Sequence, residues 1–402
     1  MPASARDKGL MRGFPPSNEQ LVTKGNWLMP PFNRYAFQHV RELFPTRSFS
    51  RGDFVRLSRR PNVTLSKLKV ENLDGTRVPL NEFLETSYSD GFLVLHQGEI
   101  VYEQYWNGMT SATPHIVMSV TKSFTGTLVG IYADRGLIDY SRPIEHYIPE
   151  LKESGFAAAT IRQLMDMQAG LEWDETPAAM ADPKSLFSRY TMASGFAPSA
   201  EIGSVYQFLP TMKREFEHGG HFRYVAPVTD VLGWLVERVS GKPFARALDD
   251  EIMSKIGLES EGYMVLDGWG KASSTGGLNL TARDLARFGL VIQNDGRWEG
   301  ARILTAEFVR DTRINGDREA FALGEKKDGA WLPGGTYRNQ WWVTPDSSRS
   351  VIAAGIYGQY LYVNPEAEVV IVRLGSTPGS KSDFSALFPP LFKAVSDELK
   401  QR

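Results

Sequence analysis

The stretch that decides the reading runs from Phe92 to Gly136, and its centre is Met118-Ser-Val-Thr-Lys-Ser123. Upstream, Phe92-Leu-Val-Leu-His96 is a strand-like run, Gln97-Gly98 supplies a turn, and Glu99-Ile-Val-Tyr-Glu-Gln-Tyr-Trp106 returns. Ile100, Tyr102 and Gln104 fall on one face, Val101, Glu103 and Tyr105 on the other. Two mixed faces predict a sheet covered on both sides. Downstream, a helix starts near Ser119, with Val120, Phe124, Leu128 and Ile131 on one buried face and Gly136 at its C-terminal cap. Ser119 and Lys122 then share the first helical turn, where i and i+3 side chains are neighbours ~5–6 Å apart at Cβ.

That spacing suits nucleophilic catalysis. A serine hydroxyl is inert until a base takes its proton. Lysine becomes such a base only if its pKa falls from ~10.4 toward neutrality, which burial and nearby positive charge achieve. Ile116, Val117, Met118 and Phe124 are apolar enough to desolvate it. The helix N-terminus adds backbone N–H groups for a developing oxyanion. The same Ser-x-x-Lys pattern recurs at Ser66-Lys-Leu-Lys69, but Thr64 to Val70 alternates like a strand, which puts Ser66 and Lys69 on opposite faces. On spacing alone, an N-cap serine followed by a solvated lysine is the simpler account of Ser119 and Lys122.

Outward from this centre, residues 1–50 read as an irregular lead-in whose aromatics and prolines (Trp27-Leu-Met-Pro-Pro-Phe-Asn-Arg-Tyr35) pack over the body. Residues 140–260 carry helical patterns broken by Pro and Gly, the strongest being Val228 to Ser240, closed by Gly241. Thr281 caps another helix with Asp284 at its third position. Gly358 to Pro365 and Glu368 to Leu374 return to strand character, and a last helix spans roughly 383–401. Strands, helices, strands, helix is the order of an α+β fold with a helical insert in a sheet domain. The expected division is 1–137 with 293–402 as the sheet domain and 138–292 as a mainly helical one, with the active site at their interface.

Composition narrows the chemistry. The 402 residues contain no cysteine, which excludes disulfides, Cys-ligated metals and a thiol nucleophile. Forty-five basic against 47 acidic residues offer no global field for nucleic acid or an anionic membrane. No apolar leader or membrane span is visible, so a cytoplasmic location is expected. G-x-S-x-G, H-E-x-x-H and a Walker loop are absent. His218-Gly-Gly-His221 has no third ligand in evidence, so neither a metal nor a cofactor is expected.

Several segments agree in order with a known family. Ser119-Val-Thr-Lys122 after a hairpin, Leu164-Met-Asp-Met-Gln-Ala-Gly-Leu-Glu-Trp-Asp174, Phe222-Arg-Tyr224 and Gly276-Gly-Leu-Asn-Leu-Thr-Ala-Arg-Asp284 together resemble the serine β-lactamase and penicillin-recognising family, in particular its class C-like hydrolases. Pro30 to Phe37, Gln340-Trp-Trp342 and Gly355-Ile-Tyr-Gly-Gln359 extend the likeness toward the nylon-oligomer amidases within it, over roughly residues 30–400. The resemblance implies Ser119 as nucleophile, Lys122 as its base and Tyr224 as the proton shuttle to the leaving group. It implies an oxyanion hole from the backbone N–H groups of Ser119 and Ile356. It places Trp173, Gly355 and Tyr357 against the substrate.

Two departures qualify the likeness. Ala353-Ala-Gly355 stands where the wider family has Lys-Thr-Gly, so the cation that greets a substrate carboxylate is missing, which argues against a cell-wall or antibiotic substrate. Tyr224-Val-Ala226 replaces Tyr-x-Asn and removes an amide that would orient Lys122. The expected activity is acyl-serine hydrolysis of a short linear amide. A carboxylesterase with the same residues is the nearest alternative, and a catalytically silent ligand-binding relative is the alternative from another class. The expected partner is a small-molecule substrate alone, with a homodimer possible by family habit.

Overall fold

The structure, a computed structural model, describes residues 2–199, 203–380 and 382–401. Its centre is a seven-stranded antiparallel sheet built from two distant parts of the chain. The first part is the hairpin of β1 (Ser89–His96) and β2 (Glu99–Tyr105). Gln97 and Gly98 both take positive φ, the twist a two-residue hairpin turn requires. The second part comprises β3 (Thr336–Arg338), β4 (Trp341–Val343), β5 (Val351–Gly355), β6 (Gln359–Asn364) and β7 (Val369–Gly375). Strand order is β3-β4-β5-β6-β7-β1-β2, so β7 pairs with β1, with Ile371 opposite Val94.

Both faces of this sheet are covered, as the mixed hairpin faces predict. Helix α1 (Thr121–Asp134) packs on α2 (Ala226–Ser240), and α3 (Ala282–Gln293) lies along β1, β6 and β7. On the α3 face, Gly289 closes onto Val370 and Leu361. On the other, Tyr360 and Tyr362 of β6 meet the rings of Phe388 and Phe392 in α4 (Phe388–Lys400). Phe124 of α1 stacks on Phe288 of α3 at 3.7 Å, which ties the two helices together. Val120, Phe124, Leu128 and Ile131 are all buried, the stripe their spacing predicts. No helix among the described residues is long and apolar enough to cross a membrane.

The lead-in folds over the body. Leu10, Val22, Trp27, Phe37 and Phe44 form a second apolar cluster with Met118 and Tyr357. One expectation is corrected: Thr64 to Val70 is not a continuous strand. Leu65–Lys67 is a 3₁₀ turn, and only Lys69–Glu71 pairs, with Arg77–Pro79. Leu65 and Val70 are both buried, but on different elements, so they do not mark one face of a strand. Ser66 Oγ there donates only to the Val63 carbonyl, near the surface.

Candidate active site

Ser119 lies in a 3₁₀ turn (Met118–Val120) that runs directly into α1. Met118 just before it has a φ of +48°, a strained conformation for a side chain of that size. The turn is fastened by the Val117 N–H to the Leu278 carbonyl and by Thr121 Oγ1 to the Met118 carbonyl. Ser119 thereby sits half-exposed over a buried helix start.

Lys122 is one turn on and only 1 % exposed. Its Nζ is 2.8 Å from Ser119 Oγ and 3.3 Å from the Thr275 carbonyl. Burial pushes this lysine down to about 8, against the opposing pull of the Glu175 and Asp230 carboxylates. The Thr275 carbonyl is itself held in place. Ser274 Oγ donates to Asp230 at 3.0 Å, Tyr190 donates to the same carboxylate at 2.5 Å, and Thr275 Oγ1 donates to the Ala226 carbonyl. Ala226 opens α2 and meets this network only through its carbonyl, which accepts from Thr275 Oγ1; the carbonyl that Lys122 reaches is that of Thr275.

Tyr224 comes from the segment just before α2. Its phenol is hydrogen-bonded to Ser119, and its ring centre is 5.2 Å from Lys122 Nζ. The ring stacks on Trp342 of β4 at 5.5 Å. Burial holds its hydroxyl well above the ordinary tyrosine range, so it stays protonated. Arg223 beside it donates to the Trp173 carbonyl at 2.5 Å, and the Arg223 N–H donates to the Met167 carbonyl. These bonds bind the tyrosine segment to the 164–174 segment.

The remaining expected residues fall in different places. Gly355 ends β5 against the turn that carries Ser119: a Cβ there would lie 3.0 Å from the Ser119 nitrogen and 2.6 Å from the Val117 carbonyl. Ile356 follows it. Trp173 lines a groove of about 590 Å³ together with Glu175, Tyr224, Arg223, Asp328 and Ser380. Its ring is largely covered by Phe187 and Tyr190, and its Nε1 donates to Glu175 at 2.8 Å. The ring of Tyr357 meets Phe37 edge to face at 5.2 Å, inside the lead-in cluster. The aromatic ring gains burial there that an open groove would not provide.

Glu175, Asp230, Tyr190, Thr275 and Asp328 were not read from the sequence. They come from segments far apart along the chain, and no local pattern links them. His218 is occupied structurally: Nδ1 accepts from the Gly170 N–H and Nε2 donates to the Ala157 carbonyl.

The family model described as Beta-lactamase matches residues 86–394. The 6-aminohexanoate-dimer hydrolase of Paenarthrobacter ureafaciens is 34% identical over 359 residues, 89% of this chain and 88% of that protein. A solved Bacillus anthracis protein, proposed to be a 6-aminohexanoate-dimer hydrolase, superposes with a TM-score of 0.86 at 31% identity, covering 96% of this chain and 99% of its own. A proposed β-lactamase of Bacteroides dorei DSM 17855 shares the fold, with a TM-score of 0.63 at 18% identity over 80% of this chain and 97% of its own. A serine-bearing helix start, an antiparallel sheet assembled from two ends of the chain and this breadth of match lead to one assignment: the chain belongs to the β-lactamase family of hydrolases.

Proposed function

We propose that this hydrolase cleaves a short linear amide of the 6-aminohexanoate-oligomer kind through an acyl-serine intermediate on Ser119. The observation that carries the reading is the 2.8 Å contact between Ser119 Oγ and the buried Lys122 Nζ. A lysine pushed down to about 8 is neutral often enough near pH 7–8 to take the serine proton. Ser119 Oγ then attacks the carbonyl carbon, and the oxyanion is held by the N–H groups of Ser119 and Ile356. Tyr224, hydrogen-bonded to Ser119, passes a proton to the departing amine nitrogen, and the C–N bond breaks. Lys122 keeps Tyr224 supplied with the proton taken from Ser119. Water, deprotonated along the same path, attacks the acyl-serine, and Ser119 leaves. The groove beyond Trp173 receives the rest of the chain-like substrate. We also read 1–137 with 293–402 and 138–292 as its two parts; the seven-stranded sheet, with strands from 89–105 and 336–375, supports the first, and α3 of the second packs onto that sheet.

The test is intact-protein mass spectrometry with turnover in parallel. Wild type and Ser119→Ala are offered an activated ester and the linear 6-aminohexanoate dimer. A transient acyl adduct and product release, both absent in Ser119→Ala, are expected. Turnover of the ester alone would favour the esterase over the amidase. Activity surviving in Ser119→Ala would end the assignment.

A further inference from the structure

The turn that carries Ile356 is held from beneath by two side chains outside the chemistry just described. β5 ends at Gly355 and β6 begins at Gln359, so Ile356-Tyr357-Gly358 closes the hairpin. Tyr357 and Gly358 both lie in the left-handed region, with φ of +62° and +88°. For a tyrosine that conformation persists only when its surroundings over-determine it. The Tyr357 N–H donates to the Ser380 carbonyl, but the stronger restraint comes from inside the sheet.

Arg373 of β7 is fully buried. Its Nη1 donates to the Gly358 carbonyl, its Nη2 to the Ser87 carbonyl at 2.6 Å and its Nε to Ser89 Oγ at 3.2 Å. The nearby carboxylate of Asp90 is bonded to Arg34 and His115 instead. Burial accordingly pushes the guanidinium down to about 10. The guanidinium also lies over the Phe388 ring, 4.1 Å from its centroid, so the cation is met by a ring face and neutral oxygens and by no bonded carboxylate. A cation buried this way is expensive to keep, and an apolar side chain would fill the same space with less penalty. What an apolar side chain would lose is the fork of donors that fixes the Gly358 peptide. Gly358 has no room for anything else, since a Cβ there would lie on Arg373 Nη1 and 3.0 Å from its Cζ.

Gln359, also fully buried, completes the clamp. Its Nε2 donates to the Gly375 carbonyl at 2.6 Å and reaches the Tyr357 and Ile356 carbonyls at 3.3 and 3.4 Å. Its Oε1 accepts from the Gly375 N–H at 3.0 Å. One side chain therefore touches the residue whose N–H faces the substrate, and the other fixes the end of the same turn. At the turn's start, Gly355 is pressed against the Ser119 nitrogen.

We propose that Arg373 and Gln359 are positioning residues that hold the 356–358 turn so that the Ile356 N–H meets the substrate oxyanion. The proposal rests on Ser119 as nucleophile, and the test separates the two. An aryl phosphonate is attacked at phosphorus by Ser119 Oγ, a P–O bond to serine forms, the bond to the aryloxide breaks, and the phosphoryl oxygen takes the oxyanion's place. Its ³¹P resonance on the enzyme reports the donors around that oxygen. Arg373→Lys keeps charge without the fork, and Gln359→Met keeps volume without the amide. Both are expected to lower kcat on an activated ester about tenfold or more, part of the ~10²–10³ that a lost oxyanion donor costs, with KM within about twofold. The ³¹P resonance of both is expected to move from its wild-type position while circular dichroism and cooperative melting persist. Should Arg373→Lys fail to fold, Gln359→Met decides. A folded Gln359→Met with wild-type kcat and an unmoved resonance overturns the clamp and leaves the nucleophile intact. Absence of any wild-type adduct overturns both.

Discussion

Lys122 carries the site's electrostatic consequences, because its environment opposes its ordinary charge. On the proposed mechanism Lys122 acts as a neutral base, so acylation is expected to rise with pH through about 8 and level off above. The Glu175 carboxylate favours the ammonium, so removing it lowers the lysine further. Glu175→Gln is therefore expected to move the rising limb of the acylation rate to lower pH, measured by single-turnover ester cleavage from pH 6 to 10. A limb that moves upward would contradict this sign. Stability follows from the same shift. The unfolded lysine titrates near 10.5 and the folded one near 8, so the unfolded chain binds its proton more tightly. The resulting penalty is fully present below pH 8 and fades as pH rises toward 10.5. Lys122→Met is expected to abolish turnover yet raise stability at pH 7 by roughly 1–3 kcal/mol, after allowing for the lost bond to the Thr275 carbonyl. Melting temperatures at pH 7 and 10.5 check this, the gain shrinking at the higher pH. The Ser119–Lys122 pair was legible because three residues on a helix are also neighbours in space. Tyr224 was legible only through family likeness, and Glu175, Asp230 and Thr275 not at all, since nothing local distinguishes a long-range partner from a surface residue.

At the scale of elements, α1 must lie close to the β3–β4 hairpin to present Ser119 and Lys122 at the sheet's end. Asn339 and Gln340 at that hairpin both have positive φ, 52° and 65°. Gln340 is anchored by Thr229 Oγ1 at 2.7 Å and by its own donation to the Leu164 carbonyl at 3.0 Å. Asn339 is bonded to Asp166 and Asp311, which Arg338 also joins. The close approach occurs at Gly126, where a Cβ would strike the Asn339 carbonyl oxygen and lie 2.9 Å from Gln340 Cβ. Alanine is the better helix former by about 1 kcal/mol, yet Gly126→Ala is expected to destabilise by ~1–3 kcal/mol because backbone cannot yield. A denaturant midpoint at or above wild type would show that the hairpin moves freely. Such crossings explain what periodicity can and cannot deliver. The stripe Val120, Phe124, Leu128, Ile131 identified α1 and its buried face, and Thr281 with Asp284 identified the start of α3. The two glycines inside α1 have their reasons far along the chain: Gly126 in the hairpin some two hundred residues away, and Gly130 in the ring of Phe308, which a Cβ there would strike. Thr64 to Val70 misled because its apolar residues belong to two elements, Leu65 to a 3₁₀ turn and Val70 to a short strand, so its mix of polar and apolar residues reflects no single strand face.

Across the whole molecule, the lead-in braces the two segments that carry Ser119 and Ile356. Its Asn33 Nδ2 donates to the Thr377 carbonyl at 2.9 Å, and its Arg34 bonds both Asp90 and Ser376 at 3.0 Å. The Phe37 carbonyl accepts from the Ile116 N–H, three residues before Ser119. Its apolar cluster includes Met118, directly before Ser119, and Tyr357, directly after Ile356. The burial of these segments was legible from their aromatic content, because a chain rich in exposed Trp and Phe would not stay soluble. Their place against the nucleophile turn was not, since it depends on which surface remains uncovered once the sheet is assembled. Trp27 is the keystone of the cluster. It meets Phe37 and Phe44 edge to face, stacks on Phe196, and donates Nε1 to the Phe196 carbonyl at 3.0 Å. Trp27→Ala is expected to cost ~3–5 kcal/mol, the usual penalty for emptying a buried aromatic site. If the lead-in also sets the catalytic turns, kcat measured well below the melting temperature falls with it while KM changes little, and Trp27→Phe restores most of both. A lowered melting temperature with kcat untouched would reduce the lead-in to a passive cover, and the geometry at Ser119 and Ile356 would then be set by the sheet and α1 alone.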